Sequence, residues 1–362
     1  MKVTAAVVRG TGAPLSVEEL ELAELQPDEV RVRMVATGIC PTDSTARNGA
    51  YPVEWPAVLG HEGAGVVEDV GSAVRSVAAG DHVVLAPASC GTCRQCRRGE
   101  MAYCEHCIAM NLSGRRSALS AGGEAVSSHF FGQSSFATHS IVLADALVKA
   151  PDDVPLELLG PLACGLGTGA GAVLNEARPE PGSSLVVFGV GAVGLAAIMA
   201  ARCTAATTVV AVDLHDSRLE LATRYGATHV INSRDTDVVA EVARITGGSA
   251  DYAFECTGVV PVVEQAADCV GMLGTLVLIG GAPAQARFSL DHMHALWGKR
   301  IVGVLGGGSR SGKFIPALID LHRQGRFPFD ELVRFYELDE IEQALADSGS
   351  GDVVKPVIRM PR

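Results

Sequence analysis

The fold is decided by one stretch, LVVFGVGAVG, which occupies residues 185–194. Its first four residues are continuously apolar, as in a parallel strand that is buried on both faces. Gly189, Gly191 and Gly194 follow, and an alanine-rich segment typical of a helix comes next. Glycines at this spacing let a pyrophosphate approach the positive N-terminus of the helix. This order of elements predicts a dinucleotide-binding unit.

An acidic residue, Asp213, ends the next apolar strand, about 20 residues beyond the glycines. Its carboxylate can bind both hydroxyls of a ribose and repels a 2′-phosphate, so we expect NAD rather than NADP. Arg218 is placed to flank the same ribose, although a solvated helix residue is the alternative. Four further strand patterns alternate with helical patterns, and they lie at 228–231, 251–255, 275–279 and 300–305. Six strands in this alternation predict a doubly wound parallel sheet.

Composition and charge exclude several classes of protein. The chain has 362 residues, enough for two domains, and a formal net charge of -12. An acidic chain argues against a nucleic-acid partner, which needs a basic surface. No segment has the apolar length of a membrane span, and no signal peptide is apparent at the start, so we expect a cytoplasmic protein without a membrane partner.

The first half of the chain shows the period of two that is typical of half-buried strands. This pattern predicts a mainly antiparallel β domain, with residues 108–128 as a long loop. A valine-rich strand near the C-terminus, residues 353–358, is expected to return to the first domain. Lys355 within it is expected to offer a positive charge to the cofactor phosphates.

Three residues from remote segments, Cys40, His61 and Cys164, have the ligand types of a catalytic zinc site. Such sites use three protein ligands and leave the fourth position open. Each residue alone is more often part of a packed core. Thr42 carries a hydroxyl that can accept and pass a proton, although helix capping is an alternative role. Glu62 is either a weak or transient ligand or only a surface acid.

A second metal site is predicted by Cys90, Cys93, Cys96 and Cys104. Four thiolates within one short segment can close a tetrahedral shell, as in structural zinc sites. An iron–sulfur cluster and a redox CxxC pair are the alternatives. The first usually has a shorter last gap followed by proline, and the second does not need four thiols. Cys107 is expected to be a bystander, or else a competitor for the metal.

These motifs together resemble the zinc-dependent medium-chain alcohol dehydrogenases over nearly the whole chain. The resemblance implies a GroES-like, mainly antiparallel β catalytic domain and a doubly wound Rossmann domain. The first would hold residues 1–165 and 309–362, and the second residues 166–308. It also implies that Cys40, His61 and Cys164 hold the catalytic zinc and that Glu62 can exchange onto the metal. Thr42 would be the first acceptor of the alcohol's proton, and the coenzyme would touch Thr168, Val193 and Arg218.

Two stretches, residues 130–137 and 327–333, resemble the benzyl- or aryl-alcohol dehydrogenase branch. Two residues depart from the pattern of many relatives, which place basic residues where this chain has Pro41 and Thr45. Ala86 stands where several relatives have a bulky pocket residue, which would leave room for an aromatic ring or a branched allylic chain.

The predicted function is the reversible, NAD-linked oxidation of a primary aromatic or allylic alcohol to its aldehyde, with two zinc ions per chain. One alternative is a formaldehyde dehydrogenase acting on a thiol adduct, for which Arg115 and Arg116 could supply basic groups. Another is a non-catalytic redox sensor that binds zinc and a nucleotide. A homodimer or homotetramer is expected, because an unpaired sixth strand invites a second subunit.

Overall fold

The computed structural model describes residues 1–113 and 117–361. The chain divides into two compact units. The first contains Met1–Cys164, Arg310–Ile319 and the chain from Asp330 to its end, and the second contains Gly165–Ser309 and Asp320–Phe329.

The expected domain limits differ from this division in one segment. The sequence predicts residues 320–329 in the first domain, whereas they lie in the second unit. Packing explains the difference, because Phe327 and Phe329 are fully buried and the guanidinium of Arg326 donates to the carbonyl of Cys203 at 3.4 Å. The two other expected limits lie within one residue of those in the structure.

The strands, numbered along the chain, are β1 Lys2–Val8, β2 Leu15–Leu22, β3 Glu29–Gly38, β4 Ala57–Val58, β5 Gly63–Val70, β6 His82–Leu85, β7 Leu119–Ala121, β8 Glu124–Val126, β9 His139–Leu143, β10 Leu147–Lys149, β11 Ser184–Phe188, β12 Thr208–Asp213, β13 His229–Asn232, β14 Ala250–Glu255, β15 Val270–Leu278, β16 Arg300–Gly303, β17 Val333–Glu337 and β18 Lys355–Arg359.

The α-helices are α1 Pro41–Arg47, α2 Arg94–Arg98, α3 Cys107–Asn111, α4 Gly165–Gly171, α5 Ala192–Ala201, α6 Asp216–Tyr225, α7 Val238–Thr246, α8 Val260–Cys269, α9 His292–Leu296, α10 Ser311–Arg323 and α11 Ile341–Ser350. A π-helical segment, Ala172–Ala177, continues α4. Single 3-10 turns lie at Met101–Tyr103, Phe130–Gly132, Ala144–Ala146, Leu156–Leu158, Gly160–Ala163, Gly306–Gly308, Phe329–Leu332 and Leu338–Glu340.

The first unit is built from two sheets. One has the order β4-β1-β2-β7-β8 with every pair antiparallel, and the other has the order β10-β6-β5-β3-β18-β17, with β9 also paired to β3. In the second sheet only β17 and β18 run parallel. The C-terminal strand β18 lies against β3, which leads directly to Cys40. The predicted antiparallel β domain is therefore confirmed.

The second unit contains a parallel sheet with the order β13-β12-β11-β14-β15-β16. The order reverses beside β11, so the loops after β11 and β14 diverge to opposite sides and leave a crevice at the carboxyl ends of the strands. Helix α5 follows β11 and is buried along almost its whole length. This is the predicted doubly wound fold.

The prediction of a long loop at residues 108–128 is wrong for most of the described part of that segment. Residues 107–111 form α3, and β7 and β8 pair as an antiparallel hairpin. The small polar residues that suggested a loop occur because the hairpin is short and its turn carries Gly122 and Gly123, both with positive φ.

None of the helices formed by residues 1–113 and 117–361 combines the length and the hydropathy that a membrane-crossing helix requires.

The close approach of β11 and α5 yields a first prediction. A Cβ on Gly194 would overlap the carbonyl oxygen of Gly189, whereas a Cβ on Gly191 would meet no atom within 4 Å. Gly194→Ala is therefore expected to lower the free energy of unfolding by about 1–3 kcal/mol. Thermal unfolding followed by circular dichroism measures the effect, with Gly191→Ala as the matched control. Equal melting temperatures for the two variants would contradict this account of the packing.

Candidate active site

Cys40 lies at the junction of β3 and α1. It is the N-cap residue of α1, and Pro41 occupies the first position of that helix. Proline is favoured there because its fixed φ suits a helix and the missing N–H would have no intrahelical partner. The backbone N–H of Cys40 donates to Asp43 Oδ2 at 2.9 Å, which fixes the start of the helix. The Cys40 thiol is thereby held at the end of a buried strand.

His61 is brought to the same place by Asp43. Nδ1 of His61 lies 2.8 Å from Asp43 Oδ1, and both side chains are about 1% exposed. Because an ionised carboxylate can only accept, Nδ1 carries the proton and Nε2 is left as an acceptor. Nε2 is buried, and within the described part of the chain it has no hydrogen-bond partner. A buried imidazole nitrogen with a free lone pair is suited to bind a metal ion.

The third predicted ligand, Cys164, completes a four-residue cluster with Cys40, His61 and Glu62. One potential ligand atom from each residue lies within 4.8 Å of all the others. The sulfur atoms of Cys40 and Cys164 are 4.0 Å apart. A tetrahedral zinc with Zn–S bonds near 2.3 Å places its sulfurs about 3.8 Å apart, so the donor set fits zinc.

The pKa values of the two thiols in this cluster are shifted in opposite directions. The hydrogen bond from Cys164 lowers the pKa of Cys40 well below its usual range, and the positive charge of Lys355 acts in the same direction. The same hydrogen bond, together with burial, raises the pKa of Cys164. A divalent cation would replace this shared proton and take both sulfurs as thiolates.

Lys355 lies beside Glu62 and not at the expected position beside the cofactor phosphates. Its side chain is 2% exposed, and its ammonium group donates to both carboxylate oxygens of Glu62, at 3.0 and 2.9 Å, and to the carbonyl of Ile39 at 3.0 Å. These contacts use all three N–H groups, so none is left for a cofactor phosphate. Burial raises the pKa of Glu62, and the charge of Lys355 opposes that rise. Lys355 is therefore the buried counter-ion of the acid beside the metal ligands.

The two threonines of α1 differ in exposure. Thr42 is half-buried on the first turn of the helix, one residue from Asp43. Thr45 is exposed, and its hydroxyl donates to the carbonyl of Pro41 at 3.0 Å.

An aromatic wall formed by Tyr51, Phe130 and Phe131 surrounds His61. The Phe131 ring stacks on His61 with centroids 4.6 Å apart, and the Phe130 ring meets it edge-on at 5.6 Å. Tyr51 contacts Phe131 edge-on at 6.4 Å. Burial raises the pKa of Tyr51, and the charges of the nearby Cys40 and Cys164 act in the same direction.

Both phenylalanines lie in the stretch 130–137 that carries the resemblance to the aryl-alcohol branch, whereas no motif in the sequence marks Tyr51. Its only signal was an aromatic residue between two ligand segments, which is too common to be specific. Phe131 adopts a positive φ of 50°, an uncommon conformation for a residue with a bulky side chain. Strain of this kind is typical of functional sites.

The four thiols of the second predicted metal site also converge. Cys90, Cys93, Cys96 and Cys104 form a compact cluster in which the Cys90 and Cys96 sulfurs are 3.9 Å apart. Backbone N–H groups point at the sulfurs, and those of Thr92 and Cys93 lower the pKa of Cys90 to about 5. Burial raises the pKa of Cys96 to about 12. We call this segment, residues 90–107, the thiol lobe; Cys107 packs against the cluster but is not one of its four potential ligands.

The glycine-rich turn and Asp213 meet at the carboxyl ends of β11 and β12. Asp213 accepts from the backbone N–H of Val190 at 2.7 Å and from that of His215 at 2.9 Å. Each carboxylate oxygen keeps further lone pairs, so the same group can still accept from ribose hydroxyls. The acid thus also holds the Gly189–Gly191 turn in place.

The other predicted coenzyme contacts lie on helices of the same unit. Thr168 and Val193 are half-buried, and Gly169 allows α4 to pack directly on the backbone carbonyl of Val193. Arg218 is 7% exposed, so it is not the solvated helix residue that was the alternative. The basic pair Arg115 and Arg116 lies outside the described residues.

Comparison with known proteins agrees with this geometry. Residues 26–152 match the model of the alcohol dehydrogenase GroES-like domain, and residues 192–322 match that of the zinc-binding dehydrogenases. The chain is 41% identical to a geraniol dehydrogenase of Castellaniella defragrans, over 98% of this chain and 96% of that one. It is 34% identical to an S-(hydroxymethyl)glutathione dehydrogenase of Paracoccus denitrificans, over 99% and 100% of the two chains.

Among solved structures, the benzyl alcohol dehydrogenase of Acinetobacter calcoaceticus superimposes with a TM-score of 0.96 and 45% identity, covering 100% of both chains. Two matching domain models, full-length relatives and both thiol-containing clusters lead to one conclusion: the chain belongs to the zinc-dependent alcohol dehydrogenase family.

Proposed function

We propose that this enzyme oxidises a primary alcohol with a flat aromatic or allylic group to the aldehyde, reversibly and with NAD as the hydride acceptor. The observation that carries the proposal is the aromatic wall of Tyr51, Phe130 and Phe131 around His61. Ring faces and edges pack favourably on planar unsaturated groups. The geraniol and benzyl alcohol dehydrogenases to which the chain is similar support the same substrate class.

The residues would divide the reaction among them as follows. Cys40, His61 and Cys164 would hold the catalytic zinc, which supplies a Lewis acid that lowers the pKa of an alcohol hydroxyl. Thr42, on the first turn of α1, would receive the hydroxyl proton. The exposed Thr45 or water would pass the proton to solvent. Bound NAD⁺ would supply the hydride acceptor, so alcohol and NAD⁺ would give aldehyde, NADH and one proton.

NAD is favoured over NADP by Asp213. Its carboxylate stands at the end of β12, where it can accept from both ribose hydroxyls and would repel a 2′-phosphate. Thr168, Gly189, Gly191, Val193, Gly194 and Arg218 would form the rest of the coenzyme site.

A thiol adduct of formaldehyde is the second candidate substrate, because S-(hydroxymethyl)glutathione dehydrogenases are among the relatives. A glutathione adduct carries two carboxylates and calls for basic groups at the site. The three side chains of the aromatic wall are uncharged, and this favours an aromatic alcohol over a glutathione adduct as the substrate. The open ligand set and the named dehydrogenase relatives argue against a non-catalytic sensor.

We also propose a reducing compartment such as the cytoplasm, since all ten cysteines are free thiols.

The enzyme is further proposed to form a homodimer, alone or within a tetramer, through the edge of β16. Met272, Leu273, Ile301 and Leu305 lie on or beside that edge and are exposed. A strand edge flanked by apolar side chains is suited to pairing with the same edge of a second copy.

The two metal sites are expected to respond differently to loss of one thiol. Cys40→Ser should reduce alcohol turnover by more than about 100-fold. Mutation of a residue that only hydrogen-bonds a metal ligand already lowers activity by up to about 100-fold, and loss of the ligand itself should cost more. Binding of NADH, followed by fluorescence titration, should remain. Cys93→Ala should instead lower the melting temperature or disturb assembly, with the folded fraction still active. A stable Cys93→Ala variant with selectively lost catalysis would reverse the two roles.

The aromatic wall predicts substrate preference. Phe131→Leu and Tyr51→Leu should each lower kcat/KM for benzyl alcohol roughly 2- to 12-fold, the value of one aromatic contact. Ethanol oxidation should change little, and Phe335→Leu, a half-buried ring that packs on Arg359, is the control. The panel includes geraniol and S-(hydroxymethyl)glutathione. A preference of the wild type for the thiol adduct over both unsaturated alcohols would overturn the proposal.

The subunit contact is tested by charge. Ile301→Lys places an ammonium on the proposed strand edge and should reduce the molar mass measured by light scattering after gel filtration. Val17→Lys, at an equally exposed position of the first unit (46% against 47%), should leave it unchanged. An unaltered mass in the Ile301 variant would rule out this edge.

A further inference from the structure

Asn111, a buried amide with no part in the reaction, ties three segments of the first unit together. It is 4% exposed and is the last residue of α3. Its Oδ1 accepts from the N–H of Ala88 at 2.8 Å, and its Nδ2 donates to the carbonyls of Ala88 at 2.8 Å and Cys107 at 3.0 Å. An amide that pairs with both groups of one residue behaves like an extra strand partner and fixes that backbone.

The first end of this link lies in the thiol lobe. Helix α3 begins at Cys107, whose N–H donates to the carbonyl of Cys104 at 3.0 Å and whose side chain packs against the clustered thiols. Ala88 lies two residues before Cys90, another member of the cluster. Asn111 therefore contacts the chain both before and after the four clustered cysteines, and a structural metal bound by those cysteines would fix this part of the backbone.

The second end lies at the aromatic wall. A Cβ on Gly132 would come within 3.2 Å of Asn111 Oδ1 and 3.3 Å of the Ala88 Cβ, so the turn at Gly132 rests on the Asn111–Ala88 pair. Gly132 has a positive φ of 74° and directly follows Phe131. The position of that turn sets where the Phe131 ring meets His61.

We propose that Asn111 is a positioning residue that transmits the order of the thiol lobe to Phe131, and so sets the selectivity of the catalytic site for planar alcohols. The selectivity part of this inference rests on the proposed function. The contact path from Cys104 through Asn111 and Gly132 to His61 does not. Through this contact path, the structural metal would have a role in substrate choice as well as in stability.

Asn111→Asp is the sharpest test, since it keeps the acceptor for Ala88 and replaces the Nδ2 donor by an oxygen that faces two carbonyls. We expect the ratio of kcat/KM for benzyl alcohol to that for 1-butanol to fall about 10- to 100-fold, the effect of a misplacement near 1 Å. Affinity for NADH should not change. Asn48→Asp, the same substitution at an exposed position, is the matched control.

A second readout does not depend on turnover. With Co²⁺ in the catalytic site, the visible absorption bands should shift in Asn111→Asp and stay in place in Asn48→Asp, because the His61 ring would lose its fixed contact. If Asn111→Asp does not fold, Gly132→Ala presses on the same contact from the other side and should shift the spectrum likewise.

The outcomes separate the two proposals. A folded Asn111→Asp or Gly132→Ala variant with an unchanged selectivity ratio and an unchanged cobalt spectrum would overturn the positioning role. If the wild type oxidises neither benzyl alcohol nor geraniol, the proposed function is overturned, and the cobalt spectrum would still decide the role of Asn111.

Discussion

The catalytic site depends on one buried carboxylate, that of Asp43. It accepts from the backbone N–H groups of Cys40 and Gly60 and contacts the ring of His61, so one side chain joins the segments that carry two of the three metal ligands. A buried carboxylate is stable only when such donors satisfy it. The same contacts orient the imidazole with Nε2 toward the sulfurs, which prepares a ligand set before any metal binds.

A second buried charge pair lies behind the ligands. Glu62 and Lys355 are both almost inaccessible, and each is the other's main compensation for the loss of water. A charge left alone at this depth would be costly, which explains why a lysine from β18 reaches across to the loop after His61. The C-terminal strand thus does more than extend a sheet, because it supplies the counter-ion that keeps an acid beside a metal site.

The two metal clusters place different demands on the fold. The thiol lobe is local: three of its cysteines lie within seven residues, and backbone N–H groups of the same segment point at the sulfurs. The catalytic cluster is assembled from β3, the loop before β5 and the end of a 3-10 turn, so it exists only if the first unit is folded. Asn111 links the local cluster to the aromatic wall of the remote one.

The sequence by itself determined the doubly wound sheet and the thiol lobe, because each depends on residue types at short or regular spacing. It also gave the catalytic zinc ligands as a set of candidates, through their residue types and the resemblance of their motifs, although the three lie in remote segments. It could not determine the partner of Lys355, the approach of Tyr51 to the metal ligands or the place of residues 320–329. Those depend on which side chains meet after distant segments pack, and a lysine or tyrosine has the same local pattern whether it faces water or a buried acid. Only tertiary structure decides between these environments, since the cost of burying a charge is met by partners hundreds of residues away.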